Sequence, residues 1–302
     1  MDEQHPEHIE WPTVAVAVAC WSMFVAVLVL HDRLPTAMVI VGLALLGGWY
    51  MSLQHEVLHG HPTPWPWVNV ALVCAPLSLW LPYSVYRDSH LRHHEVELTV
   101  PGVDPESFYV EQATWDAAPG WRRLLLRANC TLAGRLTVGP VLSAAALATS
   151  ELALARKDRG VARPWLVHVA SAAIVAWVVF GVADVPPWQY LVGYSYLGLS
   201  VTLVRSFAEH RDVPDSGARS AVVGSGWFFG ILFLFNNLHH THHALPGAAW
   251  YRLPQLTEEM GAGDIAAAGA GRYRGYGEVV RRYAFRPFTT PVTSLAPIIE
   301  RQ

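Results

Sequence analysis

The sequence predicts an all-α integral membrane protein. Four transmembrane helices form two hairpins, joined by re-entrant or interfacial helices and capped on the cytoplasmic side. Three observations predict this. Only 15% of the 302 residues are charged and mean hydropathy is +0.25, whereas a soluble domain carries about 25% charge. Four apolar stretches reach the roughly 20 residues that cross a bilayer. The basic residues gather in the loops on one side of those stretches.

Taken in order, Pro12–Leu30 and Pro35–Gln54 make the first hairpin, turning at His31-Asp32-Arg33-Leu34. Trp65–Tyr86 is apolar but interrupted by Pro66, Pro76 and Pro82, so it reads as a re-entrant or interfacial helix that protein contacts must support. Leu136–Ala155 is rich in small residues and has Arg135 and Glu151 near its ends; it reads as an interfacial helix. Pro164–Ala183 and Pro187–Val204 make the second hairpin, turning at Asp184-Val185-Pro186. Val222–Leu238 is short and holds Gly224, Gly226 and Gly230, which again suggests a re-entrant or interfacial helix. The chain reads as a single membrane domain, 1–302, whose end, 255–302, is a cytoplasmic C-terminal tail with a short helix over Tyr276–Phe285.

The basic residues set the orientation. Arg33 alone lies in the two short turns, while Arg87, Arg92, Arg122, Arg123, Arg127, Arg156, Lys157, Arg159, Arg163 and Arg211 lie on the other side. The positive-inside bias places the turns outside and the long loops in the cytoplasm. The tryptophans read as interface belts. The net charge of −3 gives no basic footprint for nucleic acid. Cys20, Cys74 and Cys130 are scattered, with no CxxC pair, which excludes a fused iron–sulfur or rubredoxin-type domain and a disulfide scaffold. The acidic start, MDEQHPEHIEW, lacks the basic n-region of a cleaved signal peptide.

Three histidine clusters carry the chemistry: His55-Glu56-Val57-Leu58-His59, His90-Leu91-Arg92-His93-His94 and His239-His240-Thr241-His242-His243. In each, a histidine recurs at i+4, and in the last two also at i+3. Those positions share one helix face, so each cluster aims a patch of imidazoles in one direction. The eight histidines of this spacing exceed what one zinc ion needs and suit two metal ions with nitrogen-rich ligation, best matched by iron in oxygen chemistry. All three clusters fall on the cytoplasmic side of the four-span topology.

The first cluster is also HExxH, the zinc metalloprotease signature. That reading makes Glu56 a general base of an intramembrane protease and leaves the other two clusters without a role. In the two-metal reading Glu56 lies on a different helix face from the histidines and serves as a supporting or surface residue.

Together the clusters resemble the three histidine boxes, HxxxH, HxxHH and HxxHH, of the membrane fatty acid desaturase and hydroxylase superfamily. The resemblance covers roughly Gln54 to Pro254. Asp104-Pro105-Glu106-Ser107 after the second box, Asn236-Asn237-Leu238 before the third and Trp250-Tyr251-Arg252-Leu253-Pro254 after it strengthen the match. The family usually adds a histidine at the end of the last span, where this chain has His210.

The resemblance implies a non-haem di-iron enzyme that attacks an unactivated C–H bond with O2. The expected ligands are His55, His59, His90, His93, His94, His210, His239, His242 and His243. His61, His168 and His240 are expected to stand outside the set. Asp88, Asp104, Glu209, Asn236 and Asn237 are candidates to fix the imidazoles by hydrogen bonding, with Glu95 and Glu106 as further carboxylates. The expected reaction is desaturation of a fatty acyl or lipid chain. The alternative is hydroxylation of an alkyl chain or specialised metabolite. Two electrons per turnover must come from a separate donor of ferredoxin, rubredoxin or cytochrome b5 type, docking on the cytoplasmic face.

Overall fold

The computed structural model describes residues 5–295. In chain order the helices are α1 Trp11–Leu30, α2 Thr36–Leu58, α3 Pro66–Val73, α4 Tyr83–Glu95, α5 Gln112–Ala117, α6 Gly120–Asn129, α7 Leu132–Thr137, α8 Gly139–Lys157, α9 Ala162–Ala176, α10 Pro187–Tyr190 and α11 Gly198–Ser206. Strand β1, Val222–Val223, follows, then α12 Trp227–Leu232, α13 His239–Ala244, α14 Leu253–Glu259, α15 Ala262–Ala268, strand β2 Arg272–Tyr273 and α16 Tyr276–Tyr283. Two compact units share these elements. The first takes the described chain through Asp88, with Gly139–Leu203 and Leu232–Leu234. The second takes Ser89–Val138, Val204–Ile231 and the described chain from Phe235.

In the first unit three helices are long and apolar enough to cross a membrane: α1, α2, and Arg159–Val182, which continues α9. They carry apolar side chains outward as well as inward. Val18, Val25 and Val29 on α1, Met38 and Val41 on α2, and Leu166, Val167 and Ile174 on α9 are all exposed. Lipid tails are the solvent that removes the cost of that surface.

The fourth expected span is helical but does not form one uninterrupted apolar helix. It starts as α10, runs through a π-helical stretch at Leu191–Leu197 and resumes as α11. Close packing against α2 accounts for its glycines. A Cβ on Gly193 would sit 2.9 Å from Leu43 Cβ, and one on Gly198 would sit 3.0 Å from Gly47 Cα. Small residues let the two backbones approach this closely. The π turns bring Tyr190 and Tyr194 onto one face, where their rings stack at 5.2 Å. The Tyr190 hydroxyl donates to the Leu77 carbonyl at 2.7 Å.

The proline-broken stretch 65–86 gives only α3 and the start of α4, with irregular chain between. Asn69 organises the turn after α2. Its Nδ2 donates to the carbonyls of Gly60 and Thr63 at 2.7 and 2.9 Å, and its Oδ1 accepts from the Thr63 N–H at 2.9 Å. Gly60 has φ of 99°, a conformation open to glycine, and it ends the helix that carries the first histidine cluster.

The expected helix over Val222–Leu238, most of it in the second unit, is replaced by three pieces. β1 pairs in parallel with β2, Val222 opposite Arg272 and Val223 opposite Tyr273. α12 covers only Trp227–Leu232, and Leu234 and Phe235 then take positive φ. Three glycines weaken any continuous helix here, and two β-branched valines fit a strand. The C-terminal segment packs into the same unit: Leu253, Ala262 and Ala266 bury against Val222 and Leu238. The last residues of the expected tail, 296–302, lie outside the described residues.

Candidate metal centre

Two helices and one extended segment of the second unit bring seven histidines together. α4 carries His90, His93 and His94, and α13 carries His239, His242 and His243. His210 follows α11 in an antiparallel bridge with Ser220. The His240 N–H donates to the Ala221 carbonyl at 3.0 Å and the Ala221 N–H to the Glu209 carbonyl at 2.8 Å. These bonds tie α13 and the His210 segment to one strand-like edge.

The ring nitrogens fall into two groups. His93, His210, His239 and His243 form one, with ligand atoms all within 4.8 Å of one another. His210 Nε2 lies 3.1 Å from His93 Nε2 and 2.9 Å from His239 Nε2, and His243 Nε2 lies 3.1 Å from His239 Nε2. His90, His94 and His242 form the other: His94 Nε2 lies 3.0 Å from both His90 Nε2 and His242 Nε2.

In three of these rings the opposite nitrogen is already committed as a donor. His93 Nδ1 donates to Asp104 Oδ1 at 2.7 Å, His90 Nδ1 to Glu106 Oε1 at 2.9 Å, and His239 Nδ1 to Asn236 Oδ1 at 3.0 Å. A neutral imidazole that donates through Nδ1 has a bare lone pair at Nε2. His210 Nε2 faces the bare nitrogens of both His93 and His239, and a single proton on it cannot satisfy both, whereas a cation among them can. Nitrogens about 2.1 Å from a metal and at right angles around it are about 3 Å apart. The donor set therefore fits a metal ion in each group.

The electrostatics keep most of these rings neutral. Burial foremost, then neighbouring histidines, holds His210, His239 and His243 well below the usual histidine range. Burial also lowers His90, against the pull of Glu106. His93 goes the other way: burial opposes its charge, but Glu106, Asp104 and Glu209 together raise its pKa. Burial pushes Glu106 up, yet His90 and His93 outweigh it and hold that carboxyl far below the usual range. Glu209 is raised to about 7 by burial, with Arg205 at 3.1 Å opposing the rise.

Asp104 is the most heavily used support. Only 4% exposed, it orients His93 while accepting from the backbone N–H groups of Thr99 at 2.8 Å and Glu106 at 2.9 Å. Glu209 reaches His239 Nδ1 at 3.4 Å. Asn237 turns elsewhere, its Nδ2 donating to the Val223 carbonyl at 2.7 Å. Among the described residues Asp88 meets no histidine and pairs with its neighbour Arg87 at 2.8 Å. Ser220, 3.3 Å from His210 Nδ1, carried no sequence signal, because it joins the site only through a bridge between residues 10 apart.

His55 and His59 belong to the first unit. They sit one turn apart at the end of α2, both buried, with ring centroids 5.0 Å apart. Glu56 between them is buried rather than on the surface. Its Oε1 lies 3.9 Å from His61 Nε2, and His61 Nδ1 meets Glu10 Oε2 at 2.8 Å. His168 is hydrogen-bonded to the Leu79 carbonyl at 3.1 Å. His240 lies outside both histidine groups.

Apolar, membrane-length helices with buried histidine groups that could hold metal ions fit a membrane oxidoreductase. The family model for fatty acid desaturase matches residues 33–276, and this chain belongs to the fatty acid desaturase family. No curated relative and no solved structure matches it.

Proposed function

We propose that the chain is an O2-dependent oxidase holding two non-haem irons that desaturates a fatty acyl or lipid chain. The observation that carries this reading is the convergence of imidazole Nε2 atoms in two adjoining groups, with His90, His93 and His239 turned by acceptors at Nδ1. His93, His210, His239 and His243 would hold one iron, and His90, His94 and His242 would supply ligands to the other. The family pattern assigns His55 and His59 to the set as well.

When bound, the irons supply the O2-derived oxidant that removes hydrogen from an unactivated carbon. The chain's own residues do the rest. Asp104, Glu106 and Asn236 hold three rings in one tautomer and orientation. Burial of His90, His93 and His239 keeps bulk water from the ligand nitrogens, which protects reactive states from side reactions. The apolar helices suit a substrate that enters from lipid. Electrons come from a separate ferredoxin, rubredoxin or cytochrome b5 type donor at the cytoplasmic face. Pro187–Ser206 serves as the fourth crossing, which keeps the histidine boxes on that face.

The second reading is hydroxylation, because the same centre can return a hydroxyl to the carbon instead of removing a second hydrogen. Lipids from cells with and without the chain, grown under 18O2, separate the two by mass spectrometry. An unlabelled alkene supports desaturation, and an 18O-labelled alcohol supports hydroxylation. Neither product, together with zinc in place of iron in the purified chain, sinks the proposal. For the topology, cysteines placed at 32 and 184 should label only from outside. Labelling of residue 159 from outside would refute the cytoplasmic placement of the boxes.

A further inference from the structure

Behind the third histidine box, wholly within the second unit, lies a cavity of about 860 Å³. None of the metal-centre histidines lines it. Four arginines do: Arg272 and Arg274 from the β2 segment, and Arg281 and Arg282 from the last turn of α16. Two have local partners, Arg272 with Asp264 at 3.1 Å and Arg282 with Glu278. Among the described residues no carboxylate lies within ion-pair distance of Arg274 or Arg281. Glu258 and Glu278 also face the cavity, and Glu278 is further held by the Arg274 backbone N–H at 2.7 Å. Four guanidinium groups against the carboxylates of Glu258, Glu278 and Asp264 leave an excess of one positive charge.

Val222, Phe235, Leu238 and Pro254 add apolar surface to the lining. Asn237 also lines it, 2% exposed, and its Oδ1 has no hydrogen-bond donor among the described residues. The volume is in the range of small-molecule sites, roughly 300–1,000 Å³, and far exceeds a bare anion. Guanidinium forks match phosphate oxygens in planar, two-point contacts.

We propose that this cavity binds a phosphate ester. Its phosphate lies between Arg274 and Arg281, its uncharged part lies against Phe235 and Leu238, and a hydroxyl or N–H meets Asn237. Asn237 and Leu238 run directly into His239, so an occupant would brace the segment that delivers the third box. A membrane lipid headgroup and a soluble organic phosphate share this chemistry.

The test uses phenyl phosphate, which carries both a phosphate and a flat apolar group. Equilibrium dialysis is run on the purified, iron-loaded full chain in phosphatidylcholine nanodiscs. The expected result is one saturable site per chain, weakened about tenfold or more in Arg274→Gln/Arg281→Gln, as loss of charge-assisted bonds predicts, with iron content unchanged. Arg163→Gln, outside the cavity, should bind as the parent does. If the double variant fails to accumulate, the exposed single change Arg281→Gln carries the test, with about threefold weakening expected. Absence of saturable binding, or equal affinity in the arginine variants, overturns the proposal. Repeating the titration with phosphatidic acid in the nanodiscs identifies the source: displacement of phenyl phosphate assigns a lipid headgroup, and no displacement assigns a soluble ester.

Discussion

The two units differ in the balance of side chains they bury, since buried charge is concentrated in the second. The first fills its interior with Leu43, Leu46, Leu53 and Val179, and it closes α2 onto Gly193 and Gly198 by shape alone. The second buries Asp104, Arg135, Arg205, Glu209 and Arg219 around a nest of imidazoles. Arg219 shows how such charges are made tolerable. Its Nη1 donates to Glu97 at 2.8 Å and to the Leu98 carbonyl at 3.0 Å, and its Nε to the Val213 carbonyl at 2.9 Å. The difference teaches where each unit's stability comes from. In the first, contact between apolar surfaces sets it, and a misplaced methyl is the main threat. In the second, polar satisfaction sets it, and a missing partner is the main threat.

The largest expected effect belongs to the second unit. His239 Nε2 contacts both His210 and His243, so His239→Ala removes the centre of the four-histidine group. Iron per purified chain should fall by about one, and turnover should drop by about 100-fold or more, the upper end for disrupting a metal site. Elemental analysis beside a product assay decides it. Full iron with near-normal turnover would break the metal assignment and, with it, the contrast between the units.

Next come the carboxylates that hold the rings. Asp104→Asn should cost about 10- to 100-fold in iron affinity or activity, because it disturbs His93 and two backbone donors together. Glu106→Gln should cost less: Glu106 serves one ring, and its side chain is 32% exposed. Iron-release rates against a chelator rank the two. The reverse order would show that the loop at 99–106 is not organised by Asp104.

A change in the first unit should act on stability and leave the metal alone. Gly47→Leu would force a side chain into a place where even a Cβ lies 2.9 Å from Gly198 Cα. Overpacking of this kind costs about 1–3 kcal/mol. Thermal unfolding in detergent should show the loss, with iron per folded chain unchanged. A normal melting point would mean that α2 and the Gly193–Gly198 helix do not pack this closely.

This contrast also explains what the sequence made legible. Apolar length is a direct physical requirement of a bilayer, so α1, α2 and the Arg159–Val182 helix could be read from composition. Recurrence at i+3 and i+4 is a direct requirement of helical presentation, so the faces of α4 and α13 could be read as well. The β1–β2 pair could not, because two residues of strand carry almost no periodicity and their partner lies 50 residues on. The fourth apolar stretch read as a plain span because hydropathy does not register the π turns at Leu191–Leu197 or the close approach of Gly198 to Gly47. Asp104 was visible through its place before a proline in a motif that follows the second box. Asp88 was suggested by proximity in sequence to His90, but its side chain is spent on Arg87. The role of Glu56 was the hardest to read, since its partners Glu10 and His61 come from separate parts of the chain.

Glu56 gives the smallest expected effect and the sharpest test of the boundary between supporting residue and reactive group. HExxH chemistry needs this carboxylate as a base on a metal-bound water. Here it lies instead 3.9 Å from His61 Nε2, while His61 Nδ1 is taken by Glu10 at 2.8 Å. The Glu10 N–H also donates to the Pro62 carbonyl at 3.0 Å. That arrangement fastens the start of α1 to the turn after α2. Glu56→Gln keeps the side chain's size and one acceptor while removing a charge. It should lower stability by about 1 kcal/mol, keep the iron, and change turnover by no more than about threefold, a barrier change below 1.4 kcal/mol. Glu10→Gln should behave the same way, since both carboxylates act on one imidazole and neither on a substrate. If Glu56→Gln abolished turnover with its metal intact while Glu10→Gln did not, Glu56 would be a reacting group, and the first unit would hold chemistry as well as shape.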